Sequence, residues 1–550
     1  MSKTTKSFVA GAAILGFAGL IVKIIGAFYR IPLTNMIGTE GMGIYQVAYP
    51  IYSTLLVIST SGIPTAISKM VAEKTAVGDY RNAHRIFQVA FRVLLIIGLI
   101  TSLVMLAGNR LIAQGLGDEM AASSIMAIAP ALFFVSLLSA YRGYFQGLQR
   151  MVPTAASQVV EQIGKLAIGL YLAYQMYLTG GPAAGAAGAL LGVTLSEVAA
   201  LVLLIGMYNR NKGEIKQDIR QSPRRHILSF RAVLRNLAAM AIPITLGGII
   251  MPVAQMIDTA MIHGRLEAIG YALEARRTLL GILTGQVNTL VNMPAVLTVA
   301  LSMSLVPAIS ASVAERSPVA VRTKAETGLK LAILIGLPCA VGMYLMAEPI
   351  LSMLYRTGTA DEMAIAVELL GVMSIAVFFL SIVQTMTGVL QGLGKVGVPV
   401  FALLIGALTK VVVNYILLGI PEINIKGAAI STICCYSVAA LVDVVMAAKL
   451  SHMRLRFGDM LVRPLLSAGG MGVAVYFVNL WARKLIHSNT IVTILAIGVA
   501  ALVYVFMLLI TKAIRPADMA YIPGGAKITR LLCRMHIWKT PRKVKGGNGR

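Results

Sequence analysis

The sequence predicts an all-α polytopic membrane protein of about fourteen transmembrane helices: two six-helix lobes in parallel repeat plus an extra C-terminal helix pair. Three observations lead there. First, 57% of the 550 residues are hydrophobic, and they fall in separate runs of about twenty, the length that crosses a bilayer core as a helix. Second, Lys and Arg number 48 against 22 Asp and Glu, a net charge of +26, and the cations collect in alternate connections, as cytoplasmic loops require. Third, two motifs recur at a spacing of about 245 residues. Gly143-Tyr-Phe-Gln-Gly-Leu-Gln-Arg150, Pro153 and Lys165 return as Gly388-Val-Leu-Gln-Gly-Leu-Gly-Lys395, Pro399 and Lys410. Ala66-Ile-Ser68 with Val71-Ala-Glu73 returns as Ala308-Ile-Ser310 with Val313-Ala-Glu315. An even number of spans separates the copies, so both point the same way across the bilayer.

The elements follow in order. Span 1 is Phe8 to Pro32; its basic start resembles a signal peptide, but the apolar run is too long and lacks a small-residue cleavage site, so it is expected to stay. Span 2 is 45–67, followed by a charged turn over 69–85. Spans 3 to 6 are 87–107, 124–145, 152–177 and 183–207. The longest polar connection, 208–235, carries eight Lys or Arg. Spans 7 to 12 are 237–262, 279–309, 329–346, 366–390, 399–418 and 427–448, and spans 13 and 14 are 464–481 and 490–510. The resulting organisation is an N-terminal lobe 1–207, a basic cytoplasmic linker 208–236, a second lobe 237–450, the extra pair 451–511 and a basic cytoplasmic tail 512–550.

Connections after the even-numbered spans are basic, and those after spans 3 and 9 lean acidic, so both termini are expected in the cytoplasm of a bacterial plasma-membrane protein. Arg483 and Lys484, between spans 13 and 14, are the exception. The 208–235 connection lacks interleaved aromatics, so it reads as a solvated segment near anionic lipids and not as a nucleic-acid patch. The four cysteines show no metal spacing and read as packing residues; no metal or cofactor is expected.

Polar groups at membrane depth are the informative ones. Lys23 and Arg30 stand seven apart on span 1, on one face and roughly 10 Å from each other. That face is expected to line a cavity for an anionic headgroup; the alternative is that they snorkel to the interface. If Lys23 is the anchor, Lys23→Ala abolishes headgroup translocation. On span 8, Asn288 and Asn292 share a face, with Gln286 nearby and Gly281 and Gly285 continuing the stripe. It can bond sugar hydroxyls or pack helices through small residues. Glu161 precedes Lys165 by four on span 5, the favourable order for a structural ion pair. Lys410, its repeat mate, has no acid four residues before it and could meet Glu161 or a backbone carbonyl. Asp258 is placed near the end of span 7, within reach of Arg265, as an interfacial acid or an ion-coupling group. Glu197 and Asp443 lie deeper with no partner evident in sequence. Prolines 50, 64, 243, 252, 294 and 307 mark spans 2, 7 and 8 for bending, although membrane helices tolerate proline widely.

Enzymatic patterns are missing. There is no His-Glu-x-x-His pair, and Gly392-Leu-Gly-Lys395 lacks the length and following hydroxyl of a phosphate loop. Three stretches carry a resemblance: Ile24-Ile-Gly-Ala-Phe-Tyr-Arg-Ile-Pro-Leu33, Gly38-Thr-Glu-Gly-Met-Gly-Ile-Tyr-Gln46, and Gly62-Ile-Pro-Thr-Ala-Ile-Ser-Lys69 with Val71-Ala-Glu73. They resemble the stage V sporulation protein B and polysaccharide-biosynthesis flippase family, within the multidrug/oligosaccharidyl-lipid/polysaccharide exporter superfamily, over essentially the whole chain. The resemblance implies two six-helix lobes, a polyprenyl-diphosphate-linked saccharide as cargo, and, as in lipid II flippases, a groove at spans 13 and 14 for the lipid tail. It places the family's cavity cations on Lys23 and, within one position, Arg30. Gln46, which closes the second stretch, joins Gln286, Asn288 and Asn292 as expected saccharide contacts. The lipid II flippases also carry arginines on helices 2 and 8; this chain has none on span 2 and reads Asn288-Thr-Leu-Val-Asn292 on span 8. The expected function is an alternating-access flippase, monomeric and compatible with association with cell-wall synthesis enzymes. The rivals are a cation-coupled multidrug exporter, in which Asp258 would dominate, and a membrane glycosyl- or lipid-transferase, which needs acids or histidines clustered at one face.

Overall fold

Two glycines turn long helices back on themselves. The computed structural model describes residues 3–514 apart from 61, 224, 225 and 357, with side chains from residue 18 onward. The expected basic tail beyond residue 514 and the side chains of Arg224 and Arg225 lie outside the described residues. Helix α1 (Lys3–Thr60) is broken only at Gly38, where φ is 73°. On an unbroken helix residues 30 and 49 would stand roughly 28 Å apart, yet the Arg30 guanidinium lies 5.8 Å from the Tyr49 ring centre. The chain therefore doubles back at Gly38, where a side chain would be strained. The second corner is Gly181, at φ 69° and followed by Pro182, inside α7 (Leu170–Gln221). There the glycines let backbones touch: a Cβ on Gly192 would overlap Gly169, the close approach small residues permit in membrane helices.

The remaining elements are α2 (Gly62–Ala76), α3 (Tyr80–Ala107), α4 (Asn109–Gly115), α5 (Ala121–Gly147), α6 (Met151–Gly164), α8 (Phe230–Ala268), α9 (Leu273–Gly281), α10 (Asn288–Asn292), α11 (Ala295–Ala314), α12 (Pro318–Leu345), α13 (Ala347–Leu354), α14 (Ala360–Gly392), α15 (Gly397–Leu417), α16 (Lys426–Ser451), α17 (Arg463–Leu485) and α18 (Asn489–Ile510). Short π-helical turns lie at Lys165–Gly169, Ile282–Val287 and Gly458–Val462. No strand occurs among the described residues. Twelve helical stretches there are long and apolar enough to span a membrane, and two of them, Ala18–Ala76 and Met151–Gln221, hold the two corners. Counted at the corners, the passes agree with the expected fourteen.

Three boundaries differ from expectation. The charged stretch 69–85 is helical through Ala76, turning only over 77–79, because Asp79 caps α3 by accepting from the Asn82 backbone N–H at 3.1 Å. Span 8 is interrupted at Met293 and Pro294, where the proline removes a helix donor. The 208–235 connection is helical through Gln221, and the strand of chain beyond it is fastened down. Ser222 Oγ donates to the Gly78 carbonyl, Asn82 donates to the His226 carbonyl, and Asn82 Oδ1 accepts from the Leu228 N–H.

The chain forms two compact units. The first holds residues 1–293, 354–373 and 403–435; the second holds 294–353, 374–402 and 436–550. In the first, Phe87 stacks on Tyr144 at 4.5 Å within a ring cluster that includes Tyr141 and Tyr208. Internal echoes run through both. Gly98 packs against Ser136 and Phe133 in one unit, and Gly336 against Ser381 and Phe378 in the other. Phe133–Phe134 and Phe378–Phe379 form similar edge-to-face pairs at 5.4 and 5.2 Å. Within the first unit, a Cβ on Gly43 would overlap the Arg277 carbonyl, a backbone atom that cannot swing away. Gly43→Ala is accordingly expected to cost about 1–3 kcal/mol by overpacking, read as a lower unfolding temperature in detergent.

Candidate functional site

The first unit gathers two cations on a platform of tyrosines. Tyr29 and Arg30 come from α1 before its corner, and Tyr45 and Tyr49 from α1 after it. Tyr45 and Tyr49 stack at 5.5 Å. Lys165 Nζ lies 5.4 Å from the ring centres of both Tyr29 and Tyr49, and the Arg30 guanidinium caps Tyr49 from 5.8 Å. Ring faces attract a cation without neutralising it. Arg30 also donates to the Thr284 carbonyl at 3.4 Å, a long bond. Lys165 opens one π-helical turn and Thr284 sits in another; such turns recur at functional sites. Among the described residues neither cation forms an ion pair with a carboxylate.

The sequence reading of Glu161 with Lys165 is corrected here. Glu161 takes Arg142 Nη2 at 2.8 Å instead, while Arg142 Nε donates to Ser157 at 2.9 Å. The guanidinium's planar fork satisfies both acceptors, which a flexible ammonium would not. Lys165 is thereby released to the tyrosines. Glu197, on α7, is 2% exposed, and its Oε2 has no hydrogen-bond partner among the described residues. Tyr45, Tyr49 and Tyr52 stand at i, i+4 and i+7, a periodicity that marks this aromatic face in the sequence.

Other expected site residues are scattered. Lys23 is exposed and, among the described residues, unpartnered, so only Arg30 of the expected pair enters the cluster. Gln46 is 8% exposed with Oε1 unsatisfied. Gln286 is buried, Asn288 half-buried, and Asn292 exposed, its amide donating to the Asn288 carbonyl at 2.7 Å. The glycines of that stripe act as packing: Gly281 abuts the Thr39 carbonyl and Gly285 the Met42 side chain.

A second ion pair corrects two further expectations. Lys410 meets neither Glu161 nor a backbone carbonyl. Its Nζ lies 2.5 Å from Asp258 Oδ2, and Asn414 donates to Asp258 Oδ1 at 2.6 Å. Arg265, expected beside Asp258, instead lies 4.4 Å over the Tyr415 ring. Both Asp258 oxygens are therefore engaged by protein donors. Near the Gly38 corner, Arg277 grips buried Asp118 through two N–H groups, at 2.6 and 2.7 Å, with Glu40 at 3.4 Å. Thr39 donates to Glu362 at 2.7 Å, and Asn35 donates to the Leu354 carbonyl at 2.7 Å.

In the second unit, helices α12, α14 and α17 border an apolar groove of about 560 Å³, lined by Tyr344, Ile375, Gly472, Val473, Tyr476 and Phe477 among others. Arg483, the cation out of step with its loop, lies 3.4 Å from Glu348, so its charge is countered by one of the acids after span 9. No group of three His, Cys, Asp or Glu gathers as metal ligands among the described residues.

Comparisons with known proteins extend these observations. The chain is 27% identical over 530 residues to stage V sporulation protein B of Bacillus subtilis (strain 168), covering 95% of this chain and 98% of that protein. It is 27% identical over 522 residues to the lipid II flippase MurJ of the same organism, covering 90% and 94%. Among solved structures, lipid II flippase MurJ in an inward closed conformation superposes with a TM-score of 0.68 at 14% identity, over 90% of this chain and 98% of that one; that likeness shows the fold. A MatE profile matches residues 284–416. The profile of the polysaccharide biosynthesis proteins matches residues 8–313, more than half the chain and the part that bears the tyrosine platform, and this multi-pass membrane protein therefore belongs to that family.

Proposed function

We propose that the protein is an alternating-access flippase that moves a polyprenyl-diphosphate-linked saccharide, a cell-envelope or spore-cortex precursor, from the inner to the outer leaflet. The carrying observation is the pairing of Arg30 and Lys165 on the tyrosine platform, where neither forms an ion pair with a carboxylate among the described residues. A diphosphate there gains charge-assisted hydrogen bonds from both. Gln46, Gln286 and Asn288, buried or half-buried, are retained as the saccharide contacts. The groove beside Tyr476 and Phe477 offers the polyprenyl tail an apolar path, and the names of the related proteins support the cargo. We take 1–207 and 237–450 as two repeats, supported by the paired glycine and phenylalanine contacts, with the compact units dividing the second repeat between them, and orient both termini to the cytoplasm from the loop charges. The exporter reading loses its main residue, since Lys410 and Asn414 hold Asp258.

The test is translocation in proteoliposomes of a fluorescent prenyl-diphosphate saccharide, with a cationic dye as the rival cargo. Delivery of the diphosphate lipid, with none of the dye, is the expected result; dye transport alone overturns the reading. A second prediction concerns the groove. Gly472→Phe fills it and is expected to slow long-chain polyprenyl cargo several-fold while sparing an analogue that lacks a long tail. Equal slowing of both would remove the tail from the groove.

A further inference from the structure

We propose that Lys410 is a built-in counter-cation: its ammonium fills, on a covalent tether, the seat at Asp258 that a free Na+ or K+ would otherwise take. Removing the amine turns that seat into a monovalent-cation site. The proposal deepens the flippase reading by naming a gradient that does not drive it, and rests on that reading for its transport test alone. Four residues of the first unit build the seat: Asp258 from α8, Lys410 and Asn414 from α15, and Ser431 from α16. Lys410 Nζ donates to Asp258 Oδ2 at 2.5 Å, and Asn414 Nδ2 donates to Asp258 Oδ1 at 2.6 Å. Ser431 Oγ donates to Asn414 Oδ1 at 3.3 Å. Asn414 and Ser431 are fully buried, whereas the side chains of Asp258 and Lys410 are 18% and 15% exposed.

Charge decides the reading. A carboxylate among membrane helices is costly unless it is neutralised, and here one ammonium neutralises it at contact distance. The pair sums to zero, so Lys410 is not a second anion site. Its repeat mate Lys165 differs in this respect, lying against ring faces without a carboxylate ion pair. Arg265, seven residues further along α8, is turned away to the Tyr415 ring, 4.4 Å from its guanidinium. Without the Lys410 amine the seat keeps one negative charge and the oxygens of a carboxylate, an amide and a hydroxyl. Such hard donors suit hard cations, and a single protein charge is balanced by a single charge on the ion. A free cation at such an acid can bind from one side of the membrane and leave to the other, which links its gradient to the cargo. A tethered ammonium cannot leave, so a Na+ or K+ gradient has no purchase on Asp258 in this chain.

The test uses the full chain in detergent, unfolded by heat in NaCl, KCl or choline chloride at equal ionic strength. The wild-type unfolding temperature is expected to be the same in all three. Lys410→Met keeps the stem and loses the charge. It is expected to unfold at a lower temperature in choline, and to regain stability with Na+ or K+ in a saturable way, as a ligand of the folded state does. Asp258→Asn combined with Lys410→Met removes both charges and is expected to be indifferent to the salt. In proteoliposomes carrying the prenyl-diphosphate saccharide, wild-type rates should agree within about twofold between Na+ and choline, while Lys410→Met should run roughly 5-fold or more faster in Na+, the lower end of ordinary coupling between sites. Wild-type protein stabilised by Na+ or K+ over choline overturns the proposal. So does a Lys410→Met protein indifferent to all three salts, with Arg265 swung in as the substitute charge. If Lys410→Met folds in no salt, the wild type decides: cation dependence overturns the filled seat, and indifference upholds it. A failed melting result sinks only this inference, whereas wild-type protein that moves no diphosphate lipid in any salt sinks the flippase reading and leaves the melting result standing.

Discussion

Removing both platform cations, Arg30→Ala with Lys165→Ala, is expected to lower headgroup affinity and translocation by about a hundredfold or more. A hydrogen bond to a charged group contributes about 1.5–3 kcal/mol, and about 1.4 kcal/mol is a factor of ten. Each single variant should therefore lose about tenfold or more. Lys165→Arg should keep much of the activity, since the guanidinium retains both charge and attraction to ring faces; Lys165→Met keeps the stem and should fail. Lys23→Ala, the variant that sequence alone marks as decisive, should cost only a few-fold, because that ammonium stands exposed and outside the cluster. The readout is transport per folded molecule. Normal transport by the double variant at normal folded yield would end the diphosphate assignment.

Asp118→Ala is expected to be the most damaging single change for stability. The Asp118 side chain is 0% exposed and that of Arg277 6%, and truncation leaves a buried guanidinium without its bidentate partner. Breaking a buried pair this way costs about 3–5 kcal/mol, here toward the lower end because Glu40 stays at 3.4 Å. Asp118→Asn should lose less, since the amide oxygen still accepts one N–H. Thermal unfolding in detergent measures both. A loss below about 1 kcal/mol, the worth of an exposed pair, would show that water reaches this contact.

The fold was legible because span length and charge asymmetry are properties of consecutive residues. Spans 13 and 14, read as 464–481 and 490–510, correspond to α17 and α18 within a few residues. The corners were not legible in the same way. Residues 33–44 look like a loop by composition, but Gly38 alone makes the turn. The site was half legible. Arg30 announces itself as a cation in an apolar run, and its repeat position draws notice to Lys165. What sequence spacing could not supply was the partner. Glu161 lies four residues from Lys165, yet its ion pair is with Arg142, nineteen residues away and on another helix. Likewise Asp258 pairs with Lys410, more than a hundred and fifty residues distant. Tertiary packing chooses among acids and bases that local geometry leaves equally available.

The turn at Gly38 also has a mechanical meaning. A two-helix hairpin whose apex is a single residue has no slack: tilting one arm must swing the other, because no loop can absorb the motion. Arg30 and Tyr49 sit on opposite arms of that hairpin, so a pivot of the whole fork would keep them in register. The cargo's charged end would then be carried by a stiff pair of tongs, gripped at constant spacing from one side of the membrane to the other.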